Sequence, residues 1–348
     1  MNLIDWADNS PRNGPRAAAA TEAARRTLRL VLLVPLLLLL AACATPALKY
    51  PVLELPSAAP LPRVVAPDRA VIGLALGGGA ARGFAHIGVI KVLEENGIHP
   101  DIVVGTSAGS FVGAFYAAGY DSAQLLALAD EMKEDQLRDI VWPDRGFVKG
   151  YRLQDFVNKR LHDRTIEELP IRFGAVVTDL HSGATVLLTR GNVGMAVRAS
   201  SAIPGIFEPV DIDGHEYVDG GLASPVPVQS ARDMGADVVI AVDIAKRPQD
   251  RKVIATTTEV IVQALGIMIN NLSNSEVKSA DIVVHPDTAG LASVSFATRK
   301  QAIEEGEVAA EAVVGRLKAL IAQMAERKRA AAQLPAAAAR ENCSGCTQ

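Results

Sequence analysis

The sequence predicts a three-layer α/β fold, with a mostly parallel central sheet and helices on both faces. Short apolar, β-branched runs alternate with helical patterns along the chain, the rhythm of strand-helix-strand units. In addition, a serine flanked by glycines stands where one strand run meets the next helix. The first strand is expected over residues 70–76, which are apolar apart from one glycine, and is followed by a glycine turn and a helix over 83–95. A short strand over 101–104 leads to a helix that opens at Ser107 and continues through 110–118. Further strands are expected over 173–177, 185–188, 237–242 and 281–284. A last helix, over 300–330, places Val308, Val313, Leu317, Leu320 and Ile321 at helical spacing before it dissolves into alanine. No internal repeat is apparent.

A chain of 348 residues with 49% hydrophobic and 21% charged residues can bury the core of one large domain with flanking tails. A net charge of -4 supplies no basic footprint for nucleic acid. At the N-terminus Arg25, Arg26 and Arg29 precede an apolar run over 30–40 that ends in Leu40-Ala41-Ala42-Cys43. This is the layout of a secretory signal. The run is broken by Pro35 and is shorter than the roughly 20 residues needed to cross a bilayer. Leu-Ala-Ala-Cys resembles the lipobox of bacterial lipoproteins, which implies a signal peptide over 1–42 and a lipidated Cys43 as mature N-terminus. An ordinary signal peptide is the alternative. Ala44 after the cysteine implies, by the same resemblance, an outer-membrane protein facing the periplasm. Pro46, Pro51, Pro56, Pro60, Pro62 and Pro67 favour an extended tether over 43–68. A catalytic domain over 69–290, its helical segment over 291–330 and a disordered tail over 331–348 complete the organisation. Cys343 and Cys346 lie in that tail with neither a helix start nor a second ligand pair beside them, so neither a redox nor a zinc site is expected.

Three motifs carry chemistry. Gly105-Thr106-Ser107-Ala108-Gly109 lies between a strand and a helix, the context of a nucleophile elbow. Gly105 and Gly109 allow the tight turn, and the helix N-terminus behind Ser107 favours a developing oxyanion. A helix-capping serine is the bland alternative. Gly77-Gly78-Gly79-Ala80-Ala81-Arg82-Gly83 can present backbone N–H groups to an anion. It lacks both the Gly-Lys-Ser/Thr ending of a phosphate loop and the acidic residue ending the second strand of a dinucleotide fold, which leaves an oxyanion hole as the better reading. Asp219-Gly220-Gly221 brings a carboxylate beside two glycines, and would otherwise be a plain turn. His86, inside the first helix, reads as a packed structural histidine, and residues 142–147 as a connecting loop or an interfacial flap.

In this order the three motifs resemble the signature blocks of the patatin-like phospholipase family, in its bacterial branch related to neuropathy target esterase. A fourth block is similar: Ala199-Ser200-Ser201-Ala202-Ile203-Pro204-Gly205-Ile206-Phe207-Glu208-Pro209. The resemblance spans residues 71–243 and extends towards 286. It implies a patatin-like fold and a serine acyl hydrolase, of phospholipase A or lysophospholipase type, in which Ser107 is the nucleophile and Asp219 its base. The backbone of Gly77, Gly78 and Gly79, with Arg82 nearby, would form the oxyanion hole. Gly220 and Gly221 would complete the base motif, and neither metal nor cofactor is required. Membrane lipids or other acyl esters are the implied partners. Arg82 could equally be a salt-bridge residue. Two alternatives remain: an α/β-hydrolase triad of Ser107, Asp243 and His285, whose chain order fits, and a non-catalytic lipid-binding lipoprotein. An aspartate base near its ordinary pKa of about 3.9 would leave activity flat through pH 6.5.

Overall fold

The computed structural model describes residues 66–333 apart from 138, 140–144, 251–253 and 292–294. The signal segment, Cys43, most of the tether, Trp142 and the cysteines of the tail lie outside the described residues.

Strand β1 (Ile72–Leu76) is central, between β2 (Ile102–Thr106) and β7 (Val238–Val242), and β8 (Ile282–Val284) and β3 (Arg172–Asp179) lie beyond these two. These five strands are parallel throughout. Three antiparallel strands join them: β4 (Thr185–Leu188), β5 (Val210–Ile212) and β6 (His215–Asp219). The sheet alternates with period two, as pleated strands must. Ile72, Leu74 and Leu76 of β1, with Val238, Ile240 and Val242 of β7, feed the larger core; Ala75, Val239 and Ala241 feed the smaller one.

The larger core is covered by α1 (Ala85–Glu95), α2 (Ala108–Ala117), α3 (Ser122–Glu131), α4 (Tyr151–Leu161), α5 (Val193–Ser200) and α8 (Arg299–Gln333). The opposite face has a thinner cover, chiefly α6 (Val228–Asp233) and the turn Val277–Ser279 that follows α7 (Thr257–Glu276). A Cβ on Gly73 would stand 2.7 Å from the Cβ of Ala236 and 3.3 Å from that of Ala231, so the sheet's central strand carries glycine where this thin layer presses closest.

The expected last helix is present, and Val313, Leu317, Leu320 and Ile321 pack on the larger core as expected, but Val308 does not. Val308 is 63% exposed, whereas Ala302, Ile303, Gly306, Ala310 and Leu317 are buried. The seam is made mostly of small residues because α8 crosses α1 at backbone contact. A Cβ on Gly88 would stand 2.0 Å from the Ile303 carbonyl oxygen, and one on Gly306 2.0 Å from that of Ala85.

One feature of sheet topology positions the site. Val177 and Thr178 of β3 pair with both β4 and β6, so those two strands lie on opposite edges of β3. Strand β4 also overlaps β2 in register at Ala175 and Val176, so β2 and β6 share the other edge. Strand β2 ends at Thr106 opposite Val176, and β6 takes over at the next residue with Asp219 opposite Val177. The last residue of β6 is thereby delivered to the end of β2, where Ser107 begins.

Candidate active site

Ser107 occupies the junction of β2 and α2 at φ 53° and ψ −119°, a conformation costly for a residue with a Cβ and held here by its surroundings. Its backbone N–H donates to Ser200 Oγ at 2.9 Å, and Ser200 Oγ donates to the Val176 carbonyl at 2.6 Å. Gly105 and Gly109 are there for contact: a Cβ on Gly105 would meet the Gly109 carbonyl oxygen at 2.3 Å, and one on Gly109 the Leu76 carbonyl oxygen at 2.0 Å. Although Ser107 precedes α2, its hydroxyl does not cap the helix; it comes close enough to the carboxylate of Asp219 to favour its charged form. The capping reading is thus replaced.

Asp219 is buried and accepts from the Gly221 N–H at 2.7 Å through Oδ1, while its own N–H donates to the Ala202 carbonyl at 2.9 Å. The fourth block therefore grips both partners, Ser107 through Ser200 and Asp219 through Ala202. Gly220 lies against β3, where a Cβ would meet the Val176 carbonyl oxygen at 2.3 Å. Burial pushes the Asp219 carboxyl up to about 6, against the hydrogen bonds from Ser107 and Gly221 that favour its charged form. The expected ordinary carboxylate pKa is corrected by this burial.

The glycine loop is partly as expected. The Gly77 N–H donates to the Val242 carbonyl at 2.9 Å and the Gly78 N–H to that of Pro225 at 3.0 Å, so both donors are spent on the scaffold and neither is free for an anion. Their contribution is close approach: a Cβ on Gly78 would sit 3.3 Å from Ser107 Cβ. Among the described residues, the N–H groups of Gly79 and Ala80 on this loop and of Ala108 at the start of α2 have no acceptor, and Ala80 and Ala108 line the cavity beside Ser107. Of the three glycines expected to offer N–H groups, Gly79 alone keeps one without an acceptor, and Ala80 and Ala108 add two that the sequence did not single out. Arg82 is buried with Nε donating to the Ile244 carbonyl at 2.8 Å. It braces the loop against the end of β7 and does not line the cavity. Burial lowers its pKa to about 10, which leaves it charged at neutral pH. His86 is wholly buried and donates from Nε2 to the Gly77 carbonyl at 2.8 Å, and burial holds its pKa down at about 4. It is a neutral strut of the loop.

Asp243 and His285 do approach each other, with Nδ1 and Oδ2 3.6 Å apart, but they do so at the ends of β7 and β8. Asp243 accepts from Ser273 Oγ at 2.8 Å and the Ala245 N–H at 3.0 Å. His285 is about half exposed and lies outside the cavity wall. The structure does not join this pair to Ser107. A connection with no sequence signal of its own supports the base loop: Thr106 Oγ1 donates to the Ser224 carbonyl at 2.8 Å, Ser224 Oγ donates to Glu276, and Glu276 Oε2 accepts from the Val226 N–H at 2.8 Å. No group of three or more metal-ligating side chains occurs among the described residues.

Ser107 opens onto a cavity of about 530 Å³, within the usual size of small-molecule sites. Its walls are Phe111, Val112 and Phe115 of α2, Leu125 and Leu128 of α3, and Phe84, Ile203, Phe207 and Phe296 from flanking segments. Phe84 and Phe296 meet edge to face at 5.0 Å between centroids. Phe147 and Ile206 line it too and stay 54% and 45% exposed.

Residues 74–232 match the patatin-like phospholipase family. The chain is 37% identical over 176 residues to an uncharacterized NTE family protein of Mycobacterium tuberculosis, covering 50% of this chain and 49% of that protein. It is 36% identical over 186 residues to patatin-like phospholipase domain-containing protein 7 of Rattus norvegicus and to domain-containing protein 6 of Homo sapiens, covering 51% of this chain and 14% of each of those. The chain thus spans about half the length of the bacterial relative and a small part of the mammalian ones. Among solved structures, VipD from Legionella pneumophila aligns with a TM-score of 0.41 and 16% identity, over 77% of this chain and 71% of that one. The type III effector protein ExoU aligns with a TM-score of 0.40 and 14% identity, over 76% and 54%. Residues 74–232, which hold the elbow at Ser107, the glycine loop and Asp219, are thus the part of the chain that matches the patatin-like phospholipase family.

Proposed function

We propose that this protein is a lipid acyl hydrolase that uses Ser107 as nucleophile and Asp219 as base, through an acyl-enzyme. What supports this reading most is the approach of the Ser107 hydroxyl to a buried carboxylate, close enough to favour its charged form, at the wall of an apolar cavity, with the family match over residues 74–232 behind it. Ser107 Oγ attacks the ester carbonyl carbon as its proton passes to Asp219, a carboxylate whose raised pKa makes it a better acceptor near neutrality than an exposed one. The N–H groups of Gly79, Ala80 and Ala108 stabilise the oxyanion, aided by the dipole of α2. Collapse expels the alcohol, which takes the proton from Asp219. Water then attacks the acyl-enzyme, giving its proton to Asp219, and the released Ser107 regains it as the carboxylic acid leaves. The cavity walls, mostly apolar with Glu134 and Ser201 among them, suit an acyl chain. Cys43 is proposed as a lipidated anchor that holds the protein at the outer membrane facing the periplasm.

The test is a panel of diacylphospholipids, lysophospholipids and short p-nitrophenyl esters with the wild type and Ser107→Ala, alongside fluorophosphonate labelling. Loss of both turnover and label in a folded Ser107→Ala protein is expected, and an active variant ends the assignment. Cys43→Ala is expected to abolish lipid incorporation and the processed size; unchanged processing would remove the anchor from the proposal.

A further inference from the structure

Residues 200, 201 and 202 of the fourth block are consecutive, and the outer two each hold one partner of the site. Ser200 Oγ accepts the Ser107 N–H at 2.9 Å, and the Ala202 carbonyl accepts the Asp219 N–H at 2.9 Å. Ser201, between them, lines the same cavity as Ser107. Its backbone is already engaged: its N–H donates to the carbonyls of Val197 and Arg198 at 3.0 and 3.1 Å, and its carbonyl accepts the Ile203 N–H at 2.9 Å. The polar group that Ser201 has left for the wall is therefore its hydroxyl. That hydroxyl has no hydrogen-bond partner among the described residues, and the side chain that carries it is half-buried. Two other side chains with polar atoms line the cavity, Ser107 and Glu134. Ser107 lies against Asp219, and Glu134 accepts the Phe296 N–H at 2.7 Å.

We propose that Ser201 Oγ donates a hydrogen bond to the alcohol-side oxygen of the ester as that oxygen leaves, which makes Ser201 a catalytic residue for esters of aliphatic alcohols. The inference rests on the Ser107–Asp219 reading of the site. Position assigns the role. An ester under attack presents two oxygens, and the oxyanion already has its donors in the N–H groups of Gly79, Ala80 and Ala108. The other oxygen has to take the proton that Ser107 gave to Asp219, so it lies against that carboxylate. Ser201 is one residue, about 3.8 Å between Cα atoms, from the Ala202 carbonyl that fixes Asp219. In the step itself the acyl carbon keeps its bond to Ser107 Oγ while its bond to the alcohol oxygen breaks. The electron pair of that bond goes to the alcohol oxygen, which takes the proton from Asp219. Ser201 keeps its own proton and stabilises the charge that builds on the departing oxygen. The benefit grows with the basicity of that oxygen, and is large for an alkoxide and small for p-nitrophenolate.

The experiment compares the full chain with Ser201→Ala and Ser201→Thr on two esters of one acid, ethyl butyrate and p-nitrophenyl butyrate. Ser201→Ala is expected to lower kcat/KM about tenfold for the ethyl ester, the worth of one hydrogen bond to a developing charge, and less than about twofold for the p-nitrophenyl ester. Ser201→Thr, which keeps a hydroxyl, should recover most of the activity on the ethyl ester. Melting temperature should stay at the wild-type value, because removing this hydroxyl leaves no buried group unpaired. A serine with a purely structural role would lower both esters together. Equal loss on both, or loss on neither, overturns the inference. So does a loss that follows acyl length across p-nitrophenyl esters, which would put Ser201 on the acyl side. Fluorophosphonate labelling tells the two failures apart. Ser107 that still labels in a Ser201→Ala protein with equal losses removes the role of Ser201 alone, whereas wild type that neither labels nor turns over removes the reading beneath it.

Discussion

With its carboxyl pushed up to about 6, Asp219 holds a proton over a pH range in which an unfolded aspartate has lost it. The folded protein then binds more protons between pH 3.8 and 6, so this residue's contribution falls as pH rises through that window. Above it the ionised carboxylate costs on the order of 3 kcal/mol. His86 has the opposite sign. Its folded pKa of about 4 lies below the ordinary 6.5, so the unfolded chain binds more protons and stability falls as pH falls through that range. The two slopes largely offset each other between pH 4 and 6. Asp219→Asn should therefore unfold at higher temperature than wild type at pH 7.5, lose that advantage by pH 4, and reveal the His86 slope. It should also lower turnover by about a hundredfold or more, the cost of losing a positioned acid-base group. Melting curves at pH 7.5, 5 and 4 check the first part, and a variant less stable than wild type at pH 7.5 would refute it. In the wild type, activity should rise through a limb near pH 6 and stay flat above. A histidine base would give a similar limb, so the profile does not separate the two; His285→Ala, expected to retain turnover, does.

At the scale of elements, what could be read from sequence and what could not divide along clear physical lines. The parallel strands and α2 were legible because their apolar periodicity and bounding glycines are local properties. Ser107 and Asp219 were legible as motifs, yet their meeting depends on β6 replacing β2 along one edge of β3, a matter of register between strands over a hundred residues apart. Ser200 lay within a recognised block without a role, since nothing local tells a helix-ending serine that it will hold another serine's N–H. The donors of Gly77 and Gly78 were misassigned for a similar reason: their acceptors, on Val242 and Pro225, come from distant segments. Ser200→Ala should leave a buried N–H unpaired, costing about 1–3 kcal/mol. It should reduce the turnover number more than it raises KM, with partial rescue by Ser200→Thr. Equal loss in both variants with unchanged stability would remove Ser200 from this positioning role. The α1–α8 crossing makes a separate prediction, because Gly306 is in contact with the Ala85 backbone. Gly306→Ala should destabilise by about 1–3 kcal/mol despite alanine's better helix propensity. Urea unfolding that shows a gain would mean the helices separate freely.

Across the whole molecule, the larger core and the cavity are parts of the same layer. Helix α2 starts directly after Ser107 at one end and carries Phe115, buried in the core, two turns on. Eight residues of helix carry the cavity wall about 12 Å from Ser107, which in the proposed function gives an extended acyl chain room to lie end-on. The outer wall belongs to α3, whose C-terminal carbonyls at Ala129, Asp130 and Met132 are all gripped by Arg299 at the start of α8. That clamp fixes α3 as one wall of the cavity of about 530 Å³, and in the proposed function this wall limits chain length. Leu128 lies on that wall, and Leu128→Phe should take up space there without touching Ser107 or Asp219. Turnover of p-nitrophenyl butyrate is then expected to stay within about twofold of wild type, while the decanoate and longer esters lose tenfold or more in kcat/KM, consistent with the cost of forcing extra carbon into a packed site. Thermal unfolding of the variant guards against a general loss of structure. Uniform loss across chain lengths in a protein of unchanged stability would mean that the acyl chain does not run along α2, and that this cavity holds another part of the substrate.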